Sequence, residues 1–291
     1  MNDDVMYMSP SGGSGIKISL ILECEKKFYY RHVEKWIQKK VGKALAFGIL
    51  FHQAFQLHNF DVFEAQWRSG ILEPKEIPED RPETEEGKEI ERYEKDIKKD
   101  LRIAKRMYER VLEEDLRPVK QESFIAATPM DPETGDTPEC LENIIVCGTR
   151  DMIEDYKGRH ILSDLKTARG RWSDKDALGS MQLQTYRYAE ACANEDVHDE
   201  GSFIVVTKHK KEPILERFPV KMNDDDHFAV YDTLYAAGSA IKRCSESGCY
   251  RRNTANCKGM FGDLCPYHPF CFPHRYEDPE EVINEKLVCV G

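Results

Sequence analysis

Two aspartates and a lysine stand in a segment whose sequence predicts a β-hairpin, GTRDMIEDYKGRHILSDLKTARG. A turn centred on Lys157-Gly158 places Asp151 directly opposite Asp164, with Cβ atoms ~4.5–5.5 Å apart on one face of the sheet. Lys166 follows Asp164 by two residues and therefore projects from the same face. The segment thus predicts two carboxylates and an ammonium group at one place on a sheet.

Such a trio favours chemistry at a divalent metal ion. Two adjacent carboxylates repel each other unless a cation lies between them, and proteins hold Mg²⁺ or Mn²⁺ through oxygen ligands. A lysine beside the metal can orient a water nucleophile and offset negative charge on a phosphate. The neighbouring pair Ile153 and Leu162 is expected to form a buried floor beneath the carboxylates. The alternative is a ladder of surface ion pairs on an exposed sheet face.

The composition is that of a globular protein with one core. The chain has 291 residues, of which 40% are hydrophobic, and domains usually have ~100–200 residues. No apolar run approaches the ~18 residues needed to cross a bilayer, and the N-terminal sequence lacks the features of a signal peptide. We therefore expect a cytoplasmic protein (host cytoplasm if the source is a virus) with no membrane partner. In that reducing compartment, ten cysteines favour metal binding or catalysis over disulfides.

The net charge of −11 argues mildly against a nucleic-acid partner, because proteins that bind phosphates usually have a basic surface. Much of the acidic charge, however, falls in Glu73–Glu94, which we interpret as a solvated loop and helix face. Local clusters are therefore more informative than the total. Basic residues gather in three places, each of which is either a phosphate contact or a solvated face: Lys26, Lys27, Arg31, Lys35, Lys39, Lys40 and Lys43; Lys208–Lys211; and Lys242, Arg243, Arg251 and Arg252.

Hydrophobic periodicity predicts helices and strands in an order typical of an α/β layer with a mixed sheet. The first helix is expected to begin after a Ser19 cap, and the acidic, Pro-containing stretch Glu73–Pro82 to break the pattern. The predicted helices are Ser19 to about Trp36, Ala44–Trp67, Glu89–Glu114, Ala177–Ala193 and Asp224–Cys244. The predicted strands are Glu122–Thr128, Asn143–Asp155, Arg159–Thr167, Ser202–Thr207 and Ile214–Val220. We expect one domain, with a mainly helical part at 1–120, the sheet core at 121–222, and a helix with a Cys-rich tail at 223–291.

Six separated motifs occur along the chain in a fixed order. They are SLILECEKKFYYRHV at Ser19–Val33, Gly-x-x-x-His at Gly48–His52, an acid at Glu122, Gly-x-x-Asp ending at Asp151, Asp-x-Lys at Asp164–Lys166, and Gln-x-x-x-Tyr at Gln182–Tyr186. In this order they resemble the RecB-like branch of the PD-(D/E)XK nuclease superfamily. The resemblance covers nearly the whole chain and is greatest to forms with an iron–sulfur cluster: the AddB nuclease domain, the CRISPR-adaptation exonucleases and phage-encoded relatives.

The resemblance implies a restriction-endonuclease-like fold and a metal-dependent deoxyribonuclease. The implied ligands of Mg²⁺ or Mn²⁺ are the side chains of His52, Asp151 and Asp164 with the carbonyl of Leu165, and Lys166 would position the attacking water. Gln182 and Tyr186, four residues apart on a helix, would contact the DNA.

By the same resemblance, the protein would be an exonuclease on single-stranded DNA ends in recombination, repair or phage DNA metabolism. A helicase or recombinase would act beside it. Two departures from the usual pattern are Gln56, where many relatives have Glu, and Cys-Glu-Lys at Cys24–Lys26, where Cys-Pro-Arg is commoner.

The C-terminal tail supplies Cys257, Cys265 and Cys271, three soft thiolate ligands suited to iron. A [4Fe–4S] cluster needs a fourth, and the resemblance implies Cys24, so that the cluster would join the first helix to the tail. Zn²⁺ is the alternative, with Cys265, Cys271 and either His268 or His274 as ligands. Cys244 and Cys249 remain as possible substitutes for one cluster ligand.

A function of another class is also compatible with the sequence. A non-catalytic relative could bind DNA ends or recruit a recombination or helicase complex through its basic and cysteine-rich surfaces. The intact Asp-Asp-Lys set favours the enzyme, because a binding protein has no need of it.

Overall fold

The computed structural model describes residues 5–11, 15–39, 42–71, 85–208, 212–257 and 264–290, with the side chains of 70, 71 and 85–94 excepted. The acidic stretch at 73–82, Lys40 and three residues of the 208–211 basic cluster lie outside the described residues. Within them, no helix combines the length and apolar character that crossing a membrane would require.

A mixed β-sheet forms the centre of the molecule, as the sequence predicts. The strands are β1 (Met6–Ser9), β2 (Ile16–Lys17), β3 (Trp36–Gln38), β4 (Pro118–Ala127), β5 (Ile144–Tyr156), β6 (Arg159–Ala168), β7 (Glu200–Thr207), β8 (Ile214–Lys221) and β9 (Leu287–Cys289). Seven of them form the central sheet. Six follow the order β2-β1-β5-β6-β7-β8, and the seventh, β4, pairs with β5 outside this path. β1 is parallel to β5 and β6 is parallel to β7, whereas β4–β5, β5–β6 and β7–β8 are antiparallel.

Helices cover both faces of this sheet. They are α1 (Leu20–Glu23), α2 (Glu25–Phe28), α3 (Lys43–Gln56), α4 (Phe60–Ile71), α5 (Glu85–Leu112), α6 (Asp174–Leu178), α7 (Gln182–Cys192), α8 (Asp224–Ser247), α9 (His268–Cys271) and α10 (Pro279–Lys286). Side chains alternate along β7: Ile204 and Val206 pack with α3–α5, whereas Phe203 and Val205 pack with α7. The strand is therefore buried on both faces, which explains its continuous apolar sequence.

The β5–β6 hairpin has the predicted register. Met152 pairs with Ser163 and Ile153 with Leu162. Asp151 and Asp164 lie one residue beyond the last of these pairs, and the same register sets them opposite each other. Lys157 and Gly158 both have positive φ, 55° and 77°, which is typical of the type I′ turn that matches the twist of a hairpin. The register on which the predicted carboxylate pair depends is therefore confirmed.

The prediction of one continuous helix from Ser19 to Trp36 is wrong. The chain extends at Cys24 (φ −166°, ψ 112°), and a π-helical turn at Tyr29–Val33 follows α2 before Trp36 enters β3. Ser19 gives no cap hydrogen bond and instead donates to Glu23. The side-chain amides of Asn253 and Asn256 donate to the Glu23 carbonyl, so contacts with the distant tail replace the next helical hydrogen bonds.

Two other predicted helices are each divided in two. The segment Ala44–Trp67 is interrupted at Leu57–Asn59, where His58 has a left-handed φ of 48°. The segment Ala177–Ala193 is interrupted between α6, which ends at a Gly179 cap, and α7, which begins at Gln182. The second interruption matters for function because it places Gln182 in the first turn of α7, next to β6.

The tail joins the N-terminal segment, as predicted. β9 pairs with β3 in a separate two-stranded sheet, and the Tyr267 hydroxyl donates to the Trp36 carbonyl at 2.8 Å. Tyr30 stacks on Phe270 with ring centroids 4.7 Å apart. These contacts bring residues more than 200 positions apart in sequence into one small unit beside the main sheet.

Candidate active site

The two aspartates of the hairpin lie side by side in a buried environment. Asp164 is 1% exposed, and the Leu165 amide donates to Asp151 Oδ2 at 2.9 Å. Burial raises the pKa of Asp151 well above its ordinary value, and the neighbouring Asp164 carboxylate raises it further. Two carboxylates in this position are a site where a cation is electrostatically favoured.

His52 approaches the same place from α3. The helix comes close to β6 at Gly48, where a Cβ would lie 3.6 Å from Thr167 Oγ1. One turn later, His52 Nδ1 is 3.3 Å from Asp151 Oδ2, and the imidazole is hydrogen-bonded to the Leu165 backbone. Burial lowers the pKa of His52, which favours the neutral imidazole that a metal ligand requires.

Lys166 and Gln182 complete the polar cluster. Lys166 Nζ is 2.7 Å from Asp164 Oδ2 and donates to Gln182 Oε1 at 2.7 Å. Gln182 Nε2 donates to Asp164 Oδ1 at 2.6 Å, so this glutamine contacts both residues of the Asp-x-Lys element. The geometry brings together all the residues that the sequence predicts at the catalytic centre.

Tyr186 is buried beneath this cluster rather than exposed beside it. Its side chain is 3% exposed, and its hydroxyl donates to the Thr149 carbonyl and accepts from Gln182 Nε2, both at 2.8 Å. Burial raises the pKa of Tyr186, so the hydroxyl keeps its proton. This geometry favours a role in positioning Gln182 over the predicted contact of Tyr186 with DNA.

The Tyr186 ring also explains the glycine of the Gly-x-x-Asp element. A Cβ on Gly148 would lie 2.3 Å from Tyr186 Cε1, so the ring occupies the space that any other residue would need.

We expect Gly148→Ala to lower the free energy of unfolding by about 1–3 kcal/mol, the usual cost of overpacking. Chemical denaturation measures this change. Gly170→Ala is the matched control, because nothing lies within 4 Å of a Cβ there, and an equal loss in both variants would contradict the packing argument.

Glu122 adds a third carboxylate at the edge of the site. Gln56, one turn after His52 on α3, donates to Glu122. Burial raises the pKa of Glu122, and Asp164 also raises it, which shows that the two acids lie within electrostatic range. The departure at Gln56 therefore gives Glu122 a neutral donor where a glutamate would place a further negative charge.

Arg150 supports the site from the opposite side of β5, and sequence reasoning assigned it no role. It is 2% exposed, and it donates to Ser123 Oγ at 2.9 Å and to Glu190 Oε1 at 2.8 Å. Glu190 lies on α7 and is itself fully buried. This ion pair fixes α7 against β5 next to Asp151. One signal in the sequence points to this role of Arg150: it is an arginine at an inward-facing position of an apolar strand.

The donor set suits a hard divalent cation. Carboxylates, a neutral imidazole and a carbonyl are ligands that Mg²⁺ and Mn²⁺ accept. In the described part of the chain, no three His, Cys, Asp or Glu side chains are arranged as a finished metal site. At the aspartates, Lys166 and Gln182 each contact one Asp164 oxygen. An ionised carboxylate accepts at about four lone-pair positions, so a cation can bind Asp164 while both contacts remain.

The four predicted cluster cysteines approach one another where the tail meets the first helices. The Cys265 amide donates to the Cys257 carbonyl at 2.7 Å, and the Asn256 side chain ties the same segment to Glu23, next to Cys24. Burial raises the pKa of Cys271, and Cys24, Cys265 and Cys257 also raise it. Cys271 is therefore within electrostatic range of the other three, but the described residues contain no finished metal-holding group of cysteines, and residues 258–263 lie outside them.

Two of the alternative ligands make other contacts. The Cys244 thiol donates to Glu25 Oε2 at 3.3 Å, and Cys249 is exposed. His268 Nδ1 is 2.8 Å from the Tyr276 hydroxyl, and its ring packs against Phe272. These contacts engage Cys244 and His268, whereas Cys249 and His274 remain as alternative ligands.

The mixed sheet presents two aspartates and a lysine from the adjacent strands β5 and β6. The sequence model of the PD-(D/E)XK nuclease superfamily matches residues 14–272, and the chain belongs to that superfamily. The matched range includes every catalytic, metal, cluster and DNA-binding residue predicted above. Nucleases of this superfamily typically use Mg²⁺ or Mn²⁺, and their substrate class is DNA. None of the curated proteins compared with the chain matches it.

Proposed function

We propose that the protein is a Mg²⁺- or Mn²⁺-dependent deoxyribonuclease that removes nucleotides from single-stranded DNA ends. The observation that carries this proposal is the convergence of His52, Asp151, Asp164 and Lys166 at one buried place. A structural ion pair would need one acid and one base. Two like-charged carboxylates beside a neutral imidazole are instead what a bound cation and its phosphate substrate would stabilise.

The proposed metal ligands are His52, Asp151, Asp164 and the Leu165 carbonyl. A bound divalent cation lowers the pKa of water and stabilises negative charge on a phosphate. Lys166 Nζ contacts two acceptors, which leaves one of its three N–H groups for water or a phosphate oxygen. Gln182 fixes the lysine, Tyr186 fixes Gln182, and the lysine thereby keeps its orientation while the phosphodiester bond is hydrolysed.

The preference for ends and for single strands derives from the resemblance to RecB-like exonucleases. So does the partner that we propose, a helicase or recombinase that supplies such ends. Gln182 is the better candidate of the predicted pair for contact with the strand, because it is partly exposed whereas Tyr186 is buried.

We also propose a [4Fe–4S] cluster held by Cys24, Cys257, Cys265 and Cys271. Cys24, Cys257 and Cys265 each raise the pKa of Cys271, and iron is the soft cation that a set of thiolates suits. The cluster would be structural: it would hold the tail against α1 and α2 on the N-terminal side of the sheet.

Digestion of end-labelled DNA tests the proposed activity. Protein purified without oxygen is incubated with single- or double-stranded DNA in Mn²⁺, Mg²⁺ or EDTA, beside an Asp164→Ala variant. We expect the parent to degrade single strands from an end in either metal. We expect no degradation by the parent in EDTA, and none by the Asp164→Ala variant in either metal.

Two other outcomes would change the proposal. If the products are internal fragments, the proposed activity becomes that of an endonuclease that uses the same site. DNA binding without cleavage in any metal would favour the end-binding or recruitment protein.

A further inference from the structure

Three basic side chains meet at the end of β6 and β7 that is closer to the N-terminus of α3. Ala168 pairs with Thr207 in the parallel β6–β7 ladder, and the Lys208 amide donates to the Ala168 carbonyl at 2.8 Å. Arg169 and Lys208 therefore leave the sheet side by side. The third residue is Lys43, the first residue of α3.

Packing against aromatic rings holds two of these cations in place. Lys208 Nζ lies 3.1 Å from the centroid of the Phe47 ring. Lys43 is one helical turn before Phe47 on α3, and its Nζ lies 5.9 Å from the centroid of the Trp67 ring. The rings are themselves fixed, because Phe47 and Trp67 are buried and pack edge to face. The cluster is thus a built surface rather than a set of freely moving lysines.

The cluster carries more positive charge than its surroundings neutralise. Lys43 Nζ is 2.6 Å from Asp100 Oδ2. The pKa of Lys208 is lowered to about 8, chiefly by burial; Arg169 and Lys43 also lower it, and Asp100 raises it. Among the described residues, Asp100 is the one carboxylate that acts on Lys208 beside the two other cations, and Lys208 still carries its charge at pH 7. An anion placed here would be favourable.

The cluster lies on a direct line from the catalytic residues. Along β6, Arg169 is five residues beyond Asp164, or about 16 Å at the usual rise of a strand. Along α3, Lys43 is nine residues before His52, or about 13 Å at the usual rise of a helix. Both elements run from the catalytic centre to the cluster, over a distance that a few nucleotides span.

We propose that Lys43, Arg169 and Lys208 bind backbone phosphates of the substrate strand a few nucleotides from the bond that is cleaved. This inference rests on the proposed nuclease function and adds the path of the strand along α3 and β6. Lysine and arginine contacts to phosphates position a strand without reading its sequence.

The salt dependence of DNA binding tests this path. The dissociation constant of a fluorescent oligothymidine is measured in EDTA, which prevents cleavage, at several NaCl concentrations. We compare the parent with Arg169→Gln, Lys208→Gln and the double variant. Each lost phosphate contact should reduce the slope of log K against log [salt] by about 0.7, so the double variant should lose about 1.4.

The matched control is Lys221→Gln. Lys221 pairs with Glu200, at the opposite end of β7 from the cluster, and it is exposed. For Lys221→Gln, the slope of log K against log [salt] should equal that of the parent. Lys208→Arg keeps the charge and should also keep the slope. Should Lys208→Gln fail to fold, Arg169→Gln alone decides the question, since Arg169 is exposed.

An unchanged slope in Arg169→Gln and in the double variant overturns the proposed path. If the parent nevertheless degrades DNA, the nuclease proposal stands without it. A reduced slope in a protein that binds DNA but never cleaves it would support the path and overturn the nuclease.

Discussion

Replacing Lys166 by methionine is expected to lower the rate constant of DNA cleavage about 10³-fold, with little effect on DNA binding. Methionine keeps much of the length of the side chain but removes the ammonium group that contacts Asp164 and Gln182. Loss of one preorganised group that stabilises a transition state typically costs ~10²–10³-fold in rate. Single-turnover digestion of labelled single-stranded DNA in Mn²⁺ measures the change.

Lys120→Met is the matched control, because Lys120 is an exposed lysine on β4, which pairs with β5 and not with β6. It should cleave at the parental rate. Circular dichroism of both variants separates loss of chemistry from loss of fold. A folded Lys166→Met protein that cleaves DNA as fast as the parent would exclude the mechanism proposed for this lysine.

Replacing Cys271 by serine is expected to remove the visible absorbance of the proposed iron–sulfur cluster and to destabilise the protein severely. The cluster would close a loop from Cys24 to Cys271, and by the chain-entropy relation for cross-links such a loop contributes on the order of 5 kcal/mol. Iron and acid-labile sulfide content, with chemical denaturation under anaerobic conditions, measures both effects.

Cys249→Ser provides the control for a cysteine outside the proposed ligand set, since Cys249 is exposed at the end of α8. It should keep the cluster and the stability of the parent. His268→Gln tests the zinc alternative and should leave the absorbance unchanged. Stoichiometric zinc without iron in the purified parent would replace the cluster proposal with a zinc site.

Local patterns predicted the central part of the fold well. The alternation of residues around Ile153 and Leu162, with a Lys-Gly turn between two strands, was sufficient for the hairpin and its register. Because a sheet has a strict period of two, that register alone placed Asp151, Asp164 and Lys166 on one face. The positions of His52 and Gln182 came instead from a resemblance of motifs, since nothing local relates α3 or α7 to the hairpin.

What the sequence did not predict depends on contacts between distant segments. The break at Cys24 follows from amides of the tail that donate to Glu23, more than 220 residues away in sequence. The burial of Tyr186 follows from the absence of a side chain at Gly148, which a helix-face argument does not include. The strands β1, β3 and β9 have only three or four residues each, too few for a periodic signal.

The pairing of β3 with β9 also affects the order in which the chain can fold during synthesis. Residues 36–38 leave the ribosome long before residues 287–289, with which they pair. At the usual elongation rates of ~5–20 residues per second, that interval is roughly 10–50 s. For that time the exposed edge of β3 and the aromatic rings at Tyr30 and Trp36 have no partner from the tail. A nascent chain stalled before residue 264 should therefore be more sensitive to protease in its first 40 residues than the released protein.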